Sequence, residues 1–181
     1  QENIWVIYNE IYNSTNGIRA QHGGKCYLVG NVIHDTHASG GFGSSGIVSY
    51  GGIDNVTIVG NTMYNLDEGI YLGSGTSATA DIANNIVAKV NESFNHITIR
   101  TSEVAQRSIM HHNLLFQPNG SARIRWAITG TETLTEFQQR TGKGEGCIEA
   151  DPLFVDAINN HFHLQPASPA IDNGRLSDVS Q

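Results

Sequence analysis

One short phrase, written five times, constrains this chain more than anything else in it. Its clearest copy is Val56-Thr57-Ile58-Val59-Gly60-Asn61-Thr62-Met63-Tyr64-Asn65. The phrase turns on an Asn, which recurs as Asn9, Asn31, Asn61, Asn85 and Asn113. Three positions before it stand Val6, Leu28, Ile58, Ile82 and Met110; two positions after it stand Ile11, Ile33, Met63, Val87 and Leu115. Five positions before it the residue is apolar or small every time: Ile4, Cys26, Val56, Ala80 and Ser108. The steps between the Asn residues are 22, 30, 24 and 28, inside the range of stacked-repeat architectures.

A second short strand follows each phrase, and each contains an Ile: Ile18, Ile47, Ile70, Ile97 and Ile124. Spacing within the strands is two, which excludes a helical solenoid. Propeller blades need roughly 40 residues each, so the steps are too short for those. One coil of a parallel β-solenoid fits, with equivalent residues of successive coils stacked about 4.8 Å apart. The Asn falls where a coil turns its corner. There it is expected to take a left-handed or bridge conformation and to bond the next Asn above it, as a structural ladder. Cys26 takes an inward position, which predicts a buried thiol; two cysteines are too few for a disulfide framework.

The repeat stops after Trp126. Thr133-Leu134-Thr135-Glu136 is a capping box and Gly142 a C-terminal stop, predicting a helix at about 133–141. The expected layout is therefore β-helix coils over 1–127 and a capping segment over 128–181. The N-terminal edge has no comparable cap, so this edge is expected to be stacked upon, or the chain to be part of a longer one. Loop lengths also vary: coil 2 carries His37 to Ser45, coil 4 carries Asn91 to Asn95, and coil 3 only Leu66-Asp67-Glu68. Such excursions wall grooves in solenoids.

Charge and hydropathy narrow the function classes. The formal net charge of −7 argues against nucleic acid as a partner, and no apolar run approaches the ~20 residues that span a membrane. The coils resemble right-handed parallel β-helix proteins of the pectate-lyase-like type. The ending resembles the closing segment of secreted bacterial β-helix proteins, including carbohydrate-active ones, in Asp151-Pro152-Leu153-Phe154-Val155-Asp156, Phe162-His163-Leu164 and Ser168-Pro169-Ala170-Ile171-Asp172-Asn173-Gly174. The resemblance implies an all-β right-handed parallel β-helix of about five coils, with a C-terminal cap containing one short helix. It also implies a secreted or cell-surface protein acting on a polysaccharide, either a lyase or a glycoside hydrolase. It transfers no catalytic motif residue by residue.

Candidate site residues follow from the alternation. If the five Ile residues point inward, Arg19, Val48, Tyr71, Thr98 and Arg125 form one outward ladder. Gly17, Gly46, Gly69, His96 and Arg123 are expected to form a second, and Gln21, Tyr50, Gly73, Arg100 and Ala127 a third. Four of the seven Arg residues fall on this one face. Arg forks grip carboxylates or sulfates, and Tyr rings stack on sugars, so Arg19, Tyr50, Arg100, Arg123 and Arg125 are the candidate substrate contacts for an anionic polysaccharide. The competing reading is a solvated sheet face.

Acid–base candidates gather at the strand entrance. A lyase needs a cation beside the uronate carboxylate and a base, for which His96, Lys89 and Tyr71 qualify. A glycosidase needs two carboxyls about 5–5.5 Å or about 6.5–9.5 Å apart, for which Asp35 and Glu68 qualify. Asp67 and Glu68 together read as turn residues or as a Ca²⁺ site. His111-His112 should splay to opposite faces, and His161-x-His163 should share one; neither makes a complete metal set. The alternative function is a non-catalytic, glycan-binding or structural β-helix module of a larger extracellular protein.

Overall fold

A computed structural model describes residues 3–38, 44–73, 79–127 and 130–175. The middle of the coil 2 excursion, residues 39–43, lies outside the described residues. The chain winds as an all-β parallel solenoid of about four turns. Five Asn posts bound four intervals, which is why the turns number one fewer than the phrases.

In chain order the strands are β1 (Ile4–Ile7), β2 (Glu10–Tyr12), β3 (Asn16–Val29), β4 (Val32–Thr36), β5 (Ser45–Val59), β6 (Thr62–Leu66), β7 (Glu68–Leu72), β8 (Thr79–Ala83), β9 (Ile86–Val90) and β10 (Ile97–Ile99). Helix α1 (Ser102–Arg107) intervenes before β11 (Ile109–His111), β12 (Leu114–Phe116) and β13 (Ile124–Trp126). Helix α2 (Leu134–Thr141), β14 (Ile148–Glu149), β15 (Phe154–Asp156) and β16 (His161–Leu164) complete the chain.

The coils present three faces. The first stacks the residues before each Asn, pairing Val6 with Leu28, Leu28 with Ile58, Ile58 with Ile82 and Ile82 with Met110. The second stacks the residues after it, Ile11–Ile33–Met63–Val87–Leu115. The third stacks Ile18–Ile47–Ile70–Ile97–Ile124. Strands β3 and β5 run continuously from the third face of one coil into the first face of the next. From the second coil down these inward ladders are buried and form one core.

The Asn ladder holds the corner as expected in its bonding and differently in its conformation. Asn31 donates both its backbone N–H (3.0 Å) and its Nδ2 (2.9 Å) to Oδ1 of Asn61, and a second bond to the Val6 carbonyl (2.9 Å). Asn61 repeats this toward Asn85 and Leu28, and Asn85 toward Asn113 and Ile58. Buried amides are thus satisfied along the corner, as burial demands. The left-handed conformation, however, belongs to the residue before each Asn: Tyr8, Gly30, Gly60, Asn84 and His112 all have φ between 52° and 67°. Turning one residue earlier frees the Asn side chain to lie along the stack. A second left-handed corner runs four residues after the Asn, through Asn13, Asp35, Asn65 and Lys89.

The ladder ends in a cysteine. Strand β14 continues the second face beneath β12, which sets Cys147 one coil below Asn113. The Asn113 N–H donates to Cys147 Sγ at 3.4 Å, and Gly146 (φ 65°) makes the left-handed turn there. Both cysteines are free and buried, Cys26 as expected.

Helix α2 starts at the expected capping box and ends at left-handed Gly142. It closes the lower end by packing Leu134 and Phe137 into the core, Phe137 against Trp126 at 5.2 Å. The rest of the C-terminal segment does something else. The antiparallel hairpin β15–β16 folds back over the outside of the second face, where Phe162 meets His34 (5.0 Å) and Tyr64 (5.5 Å).

Candidate functional site

The third face carries the candidate site, and strand register places the outward ladder where alternation puts it: Arg19, Val48, Tyr71, Thr98 and Arg125. The Arg19 guanidinium lies over the Tyr50 ring at 5.4 Å and donates from Nε to Gln21. Tyr50 in turn meets Tyr71, with ring centroids 5.6 Å apart. Gly73 makes this possible. A β-carbon there would come within 2.6 Å of the Tyr50 ring, so the absence of a side chain lets the aromatic ring cross to the next coil. Arg100 continues the strip as an exposed residue, and Arg125 is half-buried.

Glu68 is the chemically distinctive member. It precedes the third-face Ile by two residues, and its side chain turns over the outer face to Thr98. The Thr98 hydroxyl donates to Glu68 Oε1 at 2.5 Å, itself accepting from Asn95 Nδ2 at 3.1 Å. The Asn95 side-chain Oδ1 accepts from the Thr131 hydroxyl at 2.9 Å. Glu68 is 6% exposed. That burial pushes its carboxyl up to about 7, against the opposing pull of the Thr98 hydrogen bond and of the Arg125 and Arg100 charges. Tyr71 is likewise raised, by burial first, with Arg100 and Arg125 pulling it down and Tyr50 and Glu68 adding to the rise. A carboxyl that titrates near neutrality beside two guanidinium groups and two phenols can exchange a proton with a bound anion.

The expected second ladder does not face outward. A β-carbon at Gly17 would meet Ile33 Cγ2 at 2.4 Å, and one at Gly69 would meet Val87 Cγ1 at 2.6 Å, both core residues of the second face. The coil bends at this position, so its side chain looks inward. His96 accordingly is fully buried. Its Nδ1 accepts from the Arg123 N–H at 3.2 Å and its Nε2 donates to the Phe116 carbonyl at 3.1 Å. Burial first, and then the Arg123 charge, hold the ring down at about 4, against the Phe116 bond. With both nitrogens engaged, His96 is a packing element rather than a base poised at the face.

Arg123 is also spent on structure. Its Nε donates to Phe94 O and its Nη2 to Asn91 O, both at 2.7 Å, which pins the coil 4 loop. Asp67 does the same for the coil 2 loop, accepting from Ala38 N (2.8 Å), Ser44 Oγ (2.9 Å) and His37 Nδ1 (3.2 Å). Burial works to raise the Asp67 carboxyl, but these bonds and the His37 charge leave it below the usual range. Asp67 and Glu68 therefore point to different partners. Among the described residues no three His, Cys, Asp or Glu side chains assemble in a metal-binding group.

Asp35 and Lys89 sit on the left-handed corner at the end of the second face. Asp35 binds His34 Nδ1 (2.8 Å) and Asn65 Nδ2, and Lys89 Nζ lies over the Tyr64 ring at 5.3 Å. The Asp35 and Glu68 carboxyls are held by partners of different faces, so they do not flank one bond. The two His pairs also sort differently from expectation in one case. His161 and His163 share a face, with ring centroids 4.8 Å apart. His111 and His112 do not splay: their Nδ1 atoms approach to 3.2 Å, because the left-handed turn at His112 breaks the alternation.

No family model, no curated protein and no solved structure matches this chain.

Proposed function

We propose that the third face binds an extracellular anionic polysaccharide and cleaves it by β-elimination, with Glu68 moving the proton. The observation that carries this reading is the Glu68 carboxyl, raised to about 7 and bonded to Thr98 between the Arg100 and Arg125 charges. Arg100 and Arg125 would take the uronate carboxylate of the substrate, which acidifies the adjacent ring C–H. Ionised Glu68 accepts that proton. The freed electron pair forms the C=C bond, the glycosidic C–O bond breaks, and the Tyr71 hydroxyl protonates the departing oxygen. Arg19 and Tyr50 extend the contact along the stack. Elimination is favoured over hydrolysis because Asp35, the expected second carboxyl, is held elsewhere. Action on such a polymer goes with a secreted or cell-surface location.

The deep burial of Glu68 favours a second reading, a non-catalytic glycan-binding module on the same face. A panel of polyuronates separates the two. Under the first reading, at least one substrate gives rising ultraviolet absorbance from the new C=C bond, and Glu68→Gln abolishes it. Reducing ends without that absorbance would replace elimination by hydrolysis. Binding without product would establish the second reading. No binding, or binding unchanged in Arg100→Ala and Arg125→Ala, would remove both.

A further inference from the structure

The returning hairpin creates a cleft of its own on the second face. It has a volume of about 470 Å³ and lies between the hairpin tip and the first three coils. Asn160, His161 and His163 form one wall; Tyr8, Glu10 and Thr62 are on the other. Tyr8 is 80% exposed. It rests against Gly30, where any β-carbon would come within 2.5 Å of it, so the ring is seated at the cleft rather than trailing in solvent.

Glu10, on the same wall as Tyr8, lies beside a buried neighbour. His34 is stacked on Tyr12 (5.1 Å, 11° between planes) and against Phe162, and its Nδ1 is fixed by Asp35. This leaves His34 Nε2, buried and without a hydrogen-bond partner, 3.5 Å from Glu10 Oε1. The hairpin therefore packs an imidazole with an unused ring nitrogen beside the carboxylate.

The lining chemistry selects the ligand class. One carboxylate, two imidazoles, two amides and the Thr62 hydroxyl offer mixed donors and acceptors, which suits a polyol better than an ion. An exposed phenol ring offers an apolar face of the size of a pyranose. Among the described residues no Lys or Arg lines the cleft, and Glu10 would repel a polyuronate. We propose that this cleft is a binding site for a neutral saccharide, separate from the Arg/Tyr face and independent of what that face does.

The test uses cellohexaose, xylohexaose, mannohexaose and maltohexaose as probes, titrated into isotope-labelled protein and followed by amide chemical shifts. At least one should bind saturably at millimolar concentration or better and shift Glu10 and residues 160–163. Tyr8→Asn keeps the left-handed turn and should weaken binding roughly tenfold; His161→Ala should weaken it as well. Arg100→Ala and Arg125→Ala should leave it unchanged. Absence of saturable shifts with all four probes would overturn the proposal. So would affinity unaltered in both cleft variants, or affinity lost in the Arg variants.

Discussion

Thr98 donates its hydroxyl proton to Glu68 across one coil, with 2.5 Å between the oxygens. The direction is fixed from behind, because Asn95 donates to the same hydroxyl. Burial makes this carboxyl costly to ionise even against the Thr98 and Asn95 hydrogen bonds, and the result is a group raised from 4.5 to about 7. A raised carboxyl binds its proton more tightly in the folded chain than in the unfolded one. Stability contributed by Glu68 is therefore full below pH 4.5 and declines as pH rises to about 7, by about 3 kcal/mol. Glu68→Gln should remove this decline and make the protein more stable than wild type at pH 8 in urea titrations. A variant that is less stable than wild type at pH 8 would contradict the burial argument.

His96 should produce the opposite slope. Its folded value is held at about 4, below the ordinary 6.5, so the unfolded chain binds a proton that the folded chain refuses. Stability is full above pH 6.5 and declines as pH falls to about 4, again by about 3 kcal/mol. Over the shared window the two residues offset one another, and the wild type should show little net slope from this pair. His96→Gln preserves one acceptor and one donor and should remove the rise with pH that His96 contributes. In that variant the Glu68 decline becomes visible between pH 4.5 and 6.5; an unchanged profile would show that His96 is not held neutral.

Arg123 separates structural from binding arginines. It bonds two loop carbonyls, whereas Arg100 is exposed. Arg123→Ala should speed amide exchange across residues 91–95 while leaving polyuronate affinity within about twofold of wild type. Arg100→Ala should do the reverse. Equal effects of both on affinity would return Arg123 to the binding strip.

The ladder predicts a steep positional dependence. Removing the Asn61 amide leaves the Asn31 N–H and Nδ2 without their shared acceptor, and strips donors from Leu28 and Asn85. Each orphaned buried group costs ~1–3 kcal/mol, so Asn61→Ala should lose about 3–5 kcal/mol. Asn9 is exposed at the upper end, and Asn9→Ala should lose about 1 kcal/mol or less. Similar losses at the two sites, measured by urea unfolding, would mean that the ladder is not the source of stability.

What could be read from the chain in advance was whatever obeys a period. The three inward ladders, the Asn corner, helix α2 and the outward run from Arg19 to Arg125 all follow from spacing. What escaped lies where the backbone leaves its period. The bend at Gly17, Gly46 and Gly69 turns His96 inward, and the left-handed residue at His112 swings it toward His111. Helix α1 has no side-chain cap and only six residues; it is held by burial of Val104 and Ala105 and by the Trp126 Nε1–Ala105 O bond. Nothing local in the sequence announces such a helix. The Glu68–Thr98 contact joins residues 30 apart on different coils, and it becomes legible only once the register is known. The return of the hairpin had a signal that was available, since Phe154 and Phe162 are aromatic residues with no place in a plain end cap.

Cys147 gives the sharpest test of where the ladder ends. Its thiol takes the role of an Asn carbonyl, accepting the Asn113 N–H at 3.4 Å, and burial pushes the thiol pKa above the ordinary value. Sulfur is a weak acceptor, so the last rung is the poorest. Cys147→Asn places a stronger acceptor on Asn113 and a new donor toward the Met110 carbonyl, as every rung above does for the coil before it. The substitution should be neutral or stabilising by about 1 kcal/mol. Cys147→Ala leaves the Asn113 N–H unmatched and should cost about 1–3 kcal/mol. In the wild type the thiol should resist modification by a maleimide until the chain unfolds. If Cys147→Asn instead destabilises as much as Cys147→Ala, the last coil does not share the geometry of the coils above it.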